Sequence, residues 1–209
     1  MNSNFDTDFK TILGKLDQID PIKYGSSRNY IQGAVTYLSP YISRGVISTK
    51  QVLESVLKKG YKVSQIESFV KELCWRDYFQ RVWQHQGNAI NNDLRQPQEG
   101  VRHHQVPASL IGGATGIEAV DTAIGELYRT GYMHNHVRMY TAALACNIGG
   151  SHWLEPARWM YYHLLDADWA SNALSWQWVA GSFSNKKYFA NQNNINKYFN
   201  SFQKNTFFP

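Results

Sequence analysis

Cysteine is nearly absent from this sequence of 209 residues, which carries only Cys74 and Cys146. Two thiols cannot build a four-thiolate metal or iron–sulfur cluster, and no disulfide framework is expected. Both sit in apolar, helix-like contexts and read as buried thiols of a reducing, cytoplasmic compartment. No apolar run approaches the ~18–20 residues that cross a bilayer, so no membrane segment is expected. The opening stretch, Met1-Asn-Ser-Asn-Phe-Asp-Thr-Asp-Phe-Lys10, lacks the basic-then-apolar order of a secretory signal. Internal repeats and low-complexity tracts are missing. So is convincing period-2 alternation, which argues against a β-sheet.

What is present is a globular composition, 43% hydrophobic and 18% charged, consistent with one domain over 1–209. The net charge of +5 permits a polyanionic partner without requiring one. Aromatics are abundant, with 7 Trp and 13 Tyr. The tryptophans cluster as Trp75 and Trp83, then Trp153, Trp159, Trp169, Trp176 and Trp178. Such a set serves either a heavily aromatic core or a site that stacks on, or exchanges electrons with, a planar ligand.

Helical signals dominate. Ser48 to Gln51, Ser64 to Glu67 and Thr115 to Glu118 each read as a capping box. Ile66, Phe69, Val70, Leu73 and Phe79 recur at helical spacing and predict a helix to about Gln84. Further helices are expected through Val120, Ile124 and Leu127, over Met133 to Ile148, from Pro156 to about Leu165, and over Ser171 to Ala180. The fold class is all-α. Gln86 to Ala114 reads as a long loop, and the Asn- and Phe-rich stretch 191–209 as an irregular tail.

Several constellations carry potential chemistry. Asp166-Ala-Asp168 places two carboxylates where they repel unless donors or a cation stand beside them. A calcium loop is excluded, because its sixth and twelfth positions here are Ser171 and Gln177. A solvated turn remains open. His134 and His136 are two residues apart, on different faces of a helix, and no third ligand is apparent, so no metal site is expected. Asn135 and Arg138 share a helix face. Glu72, Trp75 and Arg76 share another, where Glu72 and Arg76 form either a surface pair or the border of a cavity. Trp176-Gln-Trp178, preceded by Asn172, reads as core packing or a cavity wall.

Taken in order, Leu38 to Gly45, Glu72 to Phe79, Thr115 to Asp121, Thr130 to Met139, and Asp166 to Asn172 running into Trp176 to Gly181 resemble the flavin-binding helical domain of the DNA photolyase/cryptochrome family. The resemblance covers about residues 24–190. It implies a helical domain that holds FAD non-covalently in a folded form. It also implies that Tyr24, Thr36, Leu38 and Ser39 contact the phosphates and ribose. Arg76, Asn135, Arg138, Asp166, Asp168 and Asn172 would then surround the flavin. For a pyrimidine-dimer DNA partner it implies a lesion pocket of Glu72, Trp75, Asn135, Met139 and Trp178, with Arg28 meeting the DNA backbone. The implied reaction is light-driven electron transfer from reduced flavin to the dimer, with Glu72 beside the damaged base. Trp176 and Trp153 match the two inner members of the electron-supply chain.

The sequence departs from the family pattern in four places. No antenna-pigment domain of α/β type is expected before Tyr24, so FAD alone is anticipated as the chromophore. Glu99-Gly-Val-Arg-His-His104 has no Trp where the outer electron donor belongs. His136 replaces an Arg common in repair enzymes, and Ala173-Leu-Ser175 replaces a glycine pair. A flavin photoreceptor or redox protein without repair is therefore the alternative to a repair enzyme.

Overall fold

Side-chain caps set where the helices begin, as the computed structural model, which describes residues 5–204, shows in detail. Helix α1 (Phe9–Asp17) starts where Asp8 accepts the Thr11 backbone N–H at 2.7 Å. Helix α2 (Pro21–Ser27) starts where Asp20 accepts from Ile22 and Lys23. The short α3 (Ser39–Ser43) carries Pro40 in its first turn. Helix α4 (Thr49–Leu57) opens on the expected box. The Ser48 hydroxyl accepts the Gln51 N–H at 3.1 Å and Gln51 accepts the Ser48 N–H at 2.8 Å.

The other two expected boxes are displaced. Helix α5 (Val63–Gln86) starts earlier, with Gln65 accepting the Lys62 N–H at 2.9 Å, and Glu67 instead pairs with Lys71 at 2.7 Å. At α7 (Glu118–Thr130) the cap is Asp121, not Glu118. One Asp121 oxygen accepts the Thr115 N–H and hydroxyl, and the other accepts the Gly116 N–H. A carboxylate one turn further along reaches back more effectively than the residue the pattern selects.

The predicted loop 86–114 contains a 3₁₀ turn, Gly87–Asn91, and the single-turn α6 (Ala108–Ile111). Helix α8 (Asn135–Ala143) continues into a π-helical turn, Leu144–Ile148, and is followed by α9 (Leu154–His163) and α10 (Trp169–Ala180). The tail is not irregular throughout. Asn191 caps α11 (Gln192–Phe199) by accepting the Asn194 N–H at 2.8 Å, and Ile195 is fully buried. The Asn-rich composition concealed an Asn cap followed by one apolar face. No strand forms among the described residues, so the all-α class holds.

Two apolar cores result. Ile12, Leu16, Leu38, Tyr41, Val52, Val56, Ile66 and Phe69 build the N-terminal one. A larger one gathers Val120, Ile124, Val137, Tyr140, Trp153, Met160, Leu174, Trp176 and Val179. Helix α5, about 36 Å long at 1.5 Å per residue, joins them. Its first turns bury Ile66 and Phe69 in one core, and its later turns lay Phe79 and Val82 on the other. Cys146 is buried as expected, but Cys74 is exposed.

Gly131 ends α7 in the left-handed region (φ 72°), and its carbonyl accepts the Leu165 N–H at 2.8 Å. A Cβ there would lie 2.5 Å from the Leu165 side chain. The turn thus fixes the residue just before Asp166. Gly131→Ala is expected to destabilise the protein by ~1–3 kcal/mol, read as a shifted urea midpoint with an unchanged m value.

Candidate functional site

A cavity of about 1450 Å³ opens between α5, α8, α10 and the loop 164–168. It exceeds the ~300–1,000 Å³ usual for a small-molecule site, leaving room for a large ligand and part of a second. Its lining combines charged side chains, Asp166, Asp168, Arg76 and Arg138 among them, with the apolar side chains of Trp75, Trp178, Phe79 and Met139.

The charged part of the lining rests on two acid–guanidinium pairs. Arg138 of α8 spans both Asp166 oxygens at 3.0 and 3.1 Å and donates its Nε–H to the Met133 carbonyl at 2.8 Å. Arg76 of α5 meets Asp168 at 2.7 Å. The carboxylate side chains are only 6% and 7% exposed, so each anion depends on its partner. Asp168 also accepts the Gln80 amide at 2.6 Å and caps α10 through the Ser171 N–H at 2.8 Å. Ser43 ties α3 to this loop. Its hydroxyl donates to the Asp166 carbonyl at 3.0 Å and accepts from Arg76 at 3.0 Å. The Asp pair is therefore neither a solvated turn nor a metal cradle. Among the described residues no cluster of three or more acidic, His or Cys side chains could hold a metal ion.

Asn172 is buried and donates its amide N–H to the Ala157 carbonyl at 2.8 Å. A carbonyl can only accept, so the Asn172 nitrogen must face Ala157. The remaining oxygen makes this side chain an acceptor for a ligand N–H.

Glu72 and Arg76 do not pair with each other. Glu72 meets Arg28 at 3.1 Å, and Arg28 also donates to the Ser68 hydroxyl. Arg28, expected at a DNA backbone, thus lies against Glu72. Asn135, Met139, Asn172 and Trp176 line the cavity together with Glu72, Trp75 and Trp178. Tyr24, Thr36, Leu38 and Ser39 are not among its lining residues. Leu38 is buried in the N-terminal core, and Tyr24 packs edge-on against Phe69 at 5.0 Å. Trp153 is fully buried and outside the cavity lining. Gln177 points away from the cavity, donating to the Ile90 carbonyl and accepting the Leu94 N–H. The sequence reading missed Gln80 and Ser43. Gln80 was accessible from its position four residues after Arg76, whereas Ser43 carried no signal of its own.

Burial holds His136 down to about 4, with His134 and Arg28 adding to the effect, and its Nε2 has no partner. The imidazole is therefore neutral and supplies none of the fixed charge of an Arg. Because its folded value lies below the ordinary 6.5, the unfolded chain binds the proton more readily. The associated stability is complete above pH 6.5 and is lost as pH falls toward 4. Melting temperatures should be flat above 6.5 and decline below it, with a shallower decline in His136→Phe.

These features agree with the chain's relatives. Residues 69–208 match the family model of the FAD-binding domain of DNA photolyase. A deoxyribodipyrimidine photo-lyase of Agrobacterium fabrum is 32% identical over 181 residues, covering 81% of this chain and 38% of that protein. A cryptochrome DASH of Synechocystis sp. is 32% identical over 168 residues, covering 76% and 34%. The solved cryptochrome structure from Synechocystis sp. PCC6803 superposes with a TM-score of 0.80 at 27% identity, over 93% of this chain and 44% of that one. The chain spans about a third of the length of the curated relatives it matches. The match to the family model and to these relatives places the chain in the DNA photolyase/cryptochrome family, whose FAD-binding helical domain it carries.

Proposed function

We propose that this cavity holds FAD non-covalently in a folded form and that the protein uses it to split cyclobutane pyrimidine dimers in DNA under light. The observation that carries the reading is the pair of buried bridges, Arg138–Asp166 and Arg76–Asp168, lining one cavity together with aromatic side chains. When bound, reduced FAD supplies a light-excited electron to the dimer and takes it back after the ring opens.

The residues divide the remaining work. Arg138 and Arg76 pair with the two carboxylates and give the ring's surroundings balanced charge. Asn172 offers a fixed acceptor oxygen to a ring N–H, and Asn135 lies on the same wall. Tyr24, Thr36, Leu38 and Ser39 are proposed at the phosphate and ribose end, next to the cavity proper. Trp75 and Trp178 stack on the flipped pyrimidines, with Met139 between them. Glu72, held by Arg28, hydrogen-bonds the damaged base. Trp176 and Trp153 resupply electrons. Residues 1–209 act as one helical domain with FAD as its chromophore.

The test is incubation of the purified, reduced, FAD-loaded protein with dimer-containing DNA in light and in dark. Light-dependent loss of dimers is expected, and its absence with FAD bound overturns the reading. Affinity for that DNA should fall steeply as salt rises from 50 to 200 mM. A neutral His136 in place of Arg and the similarity to a cryptochrome DASH favour one second reading, a flavin photoreceptor without repair. It would show a blue-light spectral change with no dimer turnover.

A further inference from the structure

Trp153 is fully buried, yet its indole does not end on a neutral acceptor. Its Nε1–H donates to Asp93 Oδ1 at 2.8 Å. The same oxygen lies 3.3 Å from His152 Nε2, and Asp93 Oδ2 accepts the Gln98 backbone N–H at 2.8 Å. Gln98 in turn accepts the Trp153 backbone N–H at 2.9 Å. One loop therefore holds both N–H groups of this tryptophan. The Leu154 N–H donates to His152 Nδ1 at 3.4 Å, so the ring's proton is on Nε2, directed at the carboxylate. Burial keeps the His152 imidazole neutral by lowering its proton affinity.

A neutral amide has one acceptor oxygen and could not accept from Trp153, His152 and Gln98 together, so three donors hold the carboxylate in place and set a base directly on the indole N–H. An indole is a very weak acid until it loses an electron, when its N–H becomes strongly acidic. We infer that Asp93 is the proton acceptor of Trp153 during its one-electron oxidation, a role that rests on the electron-supply reading above. One electron leaves Trp153 for a photoexcited isoalloxazine or the radical it leaves on Trp176. The N–H bond breaks, its proton forms an O–H bond at Asp93 Oδ1, and a neutral indolyl radical remains. The Asp93 side chain is 20% exposed, so the new acid releases its proton to water. His152 and Gln98 are positioning residues that hold the carboxylate in line. Removing the proton traps the electron hole on Trp153. That compensates for the stretch 99–104, which lacks an outer tryptophan.

The test is flash excitation of the flavin-loaded protein, reading the protonation state of the tryptophan radical from its absorption band. In the native chain the neutral radical is expected, formed more slowly in D2O than in H2O. Asp93→Asn keeps an acceptor oxygen but takes no proton, so at least a tenfold loss of neutral radical is expected. A cation radical that simply recombines should replace it, and Trp153→Phe should abolish both. Independently of flavin, the Trp153 indole N–H resonance should move with the Asp93 titration in the native chain and be pH-independent in Asp93→Asn. Neutral radical at the native rate in Asp93→Asn, no deuterium effect in the native chain, or an indole resonance blind to pH would each overturn the inference. The deuterium and resonance measurements need no variant to fold. Failure of dimer splitting with this signature intact would instead remove only the repair reading.

Discussion

Asp168→Ala is expected to unload the flavin and to lower the melting temperature on the order of 10 °C. The size follows from how many groups converge on one carboxylate. Asp168 neutralises Arg76 at 2.7 Å, accepts the Gln80 amide at 2.6 Å and caps α10 through Ser171. Removing one member of a buried ion pair costs about 3–5 kcal/mol, because the partner charge is stranded. The lost cap is included in that range, since it contributes only ~1 kcal/mol. A domain of this size loses roughly 2–4 °C per kcal/mol. Asp168→Asn separates the two roles. It retains a capping oxygen but not the charge, so it should recover part of the melting temperature while flavin absorbance after gel filtration stays low. A variant that binds FAD normally would show that the pair serves folding only.

Trp75→Ala and Trp178→Ala carry the second large effect. Both rings line the cavity and both are unusually exposed for tryptophan, at 52% and 43%. A core role would have buried them, as it buries Trp153 and Trp176. Stacking on a base contributes ~1–3 kcal/mol, so each substitution should weaken binding of dimer-containing DNA by about 5- to 150-fold. Flavin content and melting temperature should scarcely change, since little packing is lost. Undamaged duplex, which offers no flipped base, should bind the variants and the native chain alike. Anisotropy titrations of both oligonucleotides read the difference. An equal loss on both DNAs would point to damage of the general DNA-binding surface instead.

Much of this was legible in the residues. Helical spacing in α5 and α8 placed Arg76, Asn135 and Arg138 on shared faces. The acid pair at 166 and 168 called for donors, which the fold supplies from two helices. What the sequence concealed was tertiary. Nothing local shows that Arg28 reaches Glu72 across 44 positions, or that Gln177 turns its amide away from the neighbouring indoles. The box at Thr115 failed because Asp121 takes the Thr115 N–H that Glu118 was expected to hold, and the box at Ser64 because the helix starts earlier, where Gln65 accepts the Lys62 N–H. The tail failed because its Asn-rich composition hid a capped eight-residue helix that buries Ile195 on one face.

That tail has a practical consequence. Tyr198 and Phe199 stand edge-on against His136 and His134, and the Ile31 N–H donates to the Tyr198 carbonyl at 3.0 Å. A shortened protein ending at residue 190 would keep every proposed ligand-contacting side chain but uncover both imidazoles. His136, which lines the cavity, would lose part of the burial that lowers its proton affinity, so milder acid would place a new cation there. Truncations chosen by motif boundaries alone would therefore report a pH sensitivity that belongs to the cut, not to the protein.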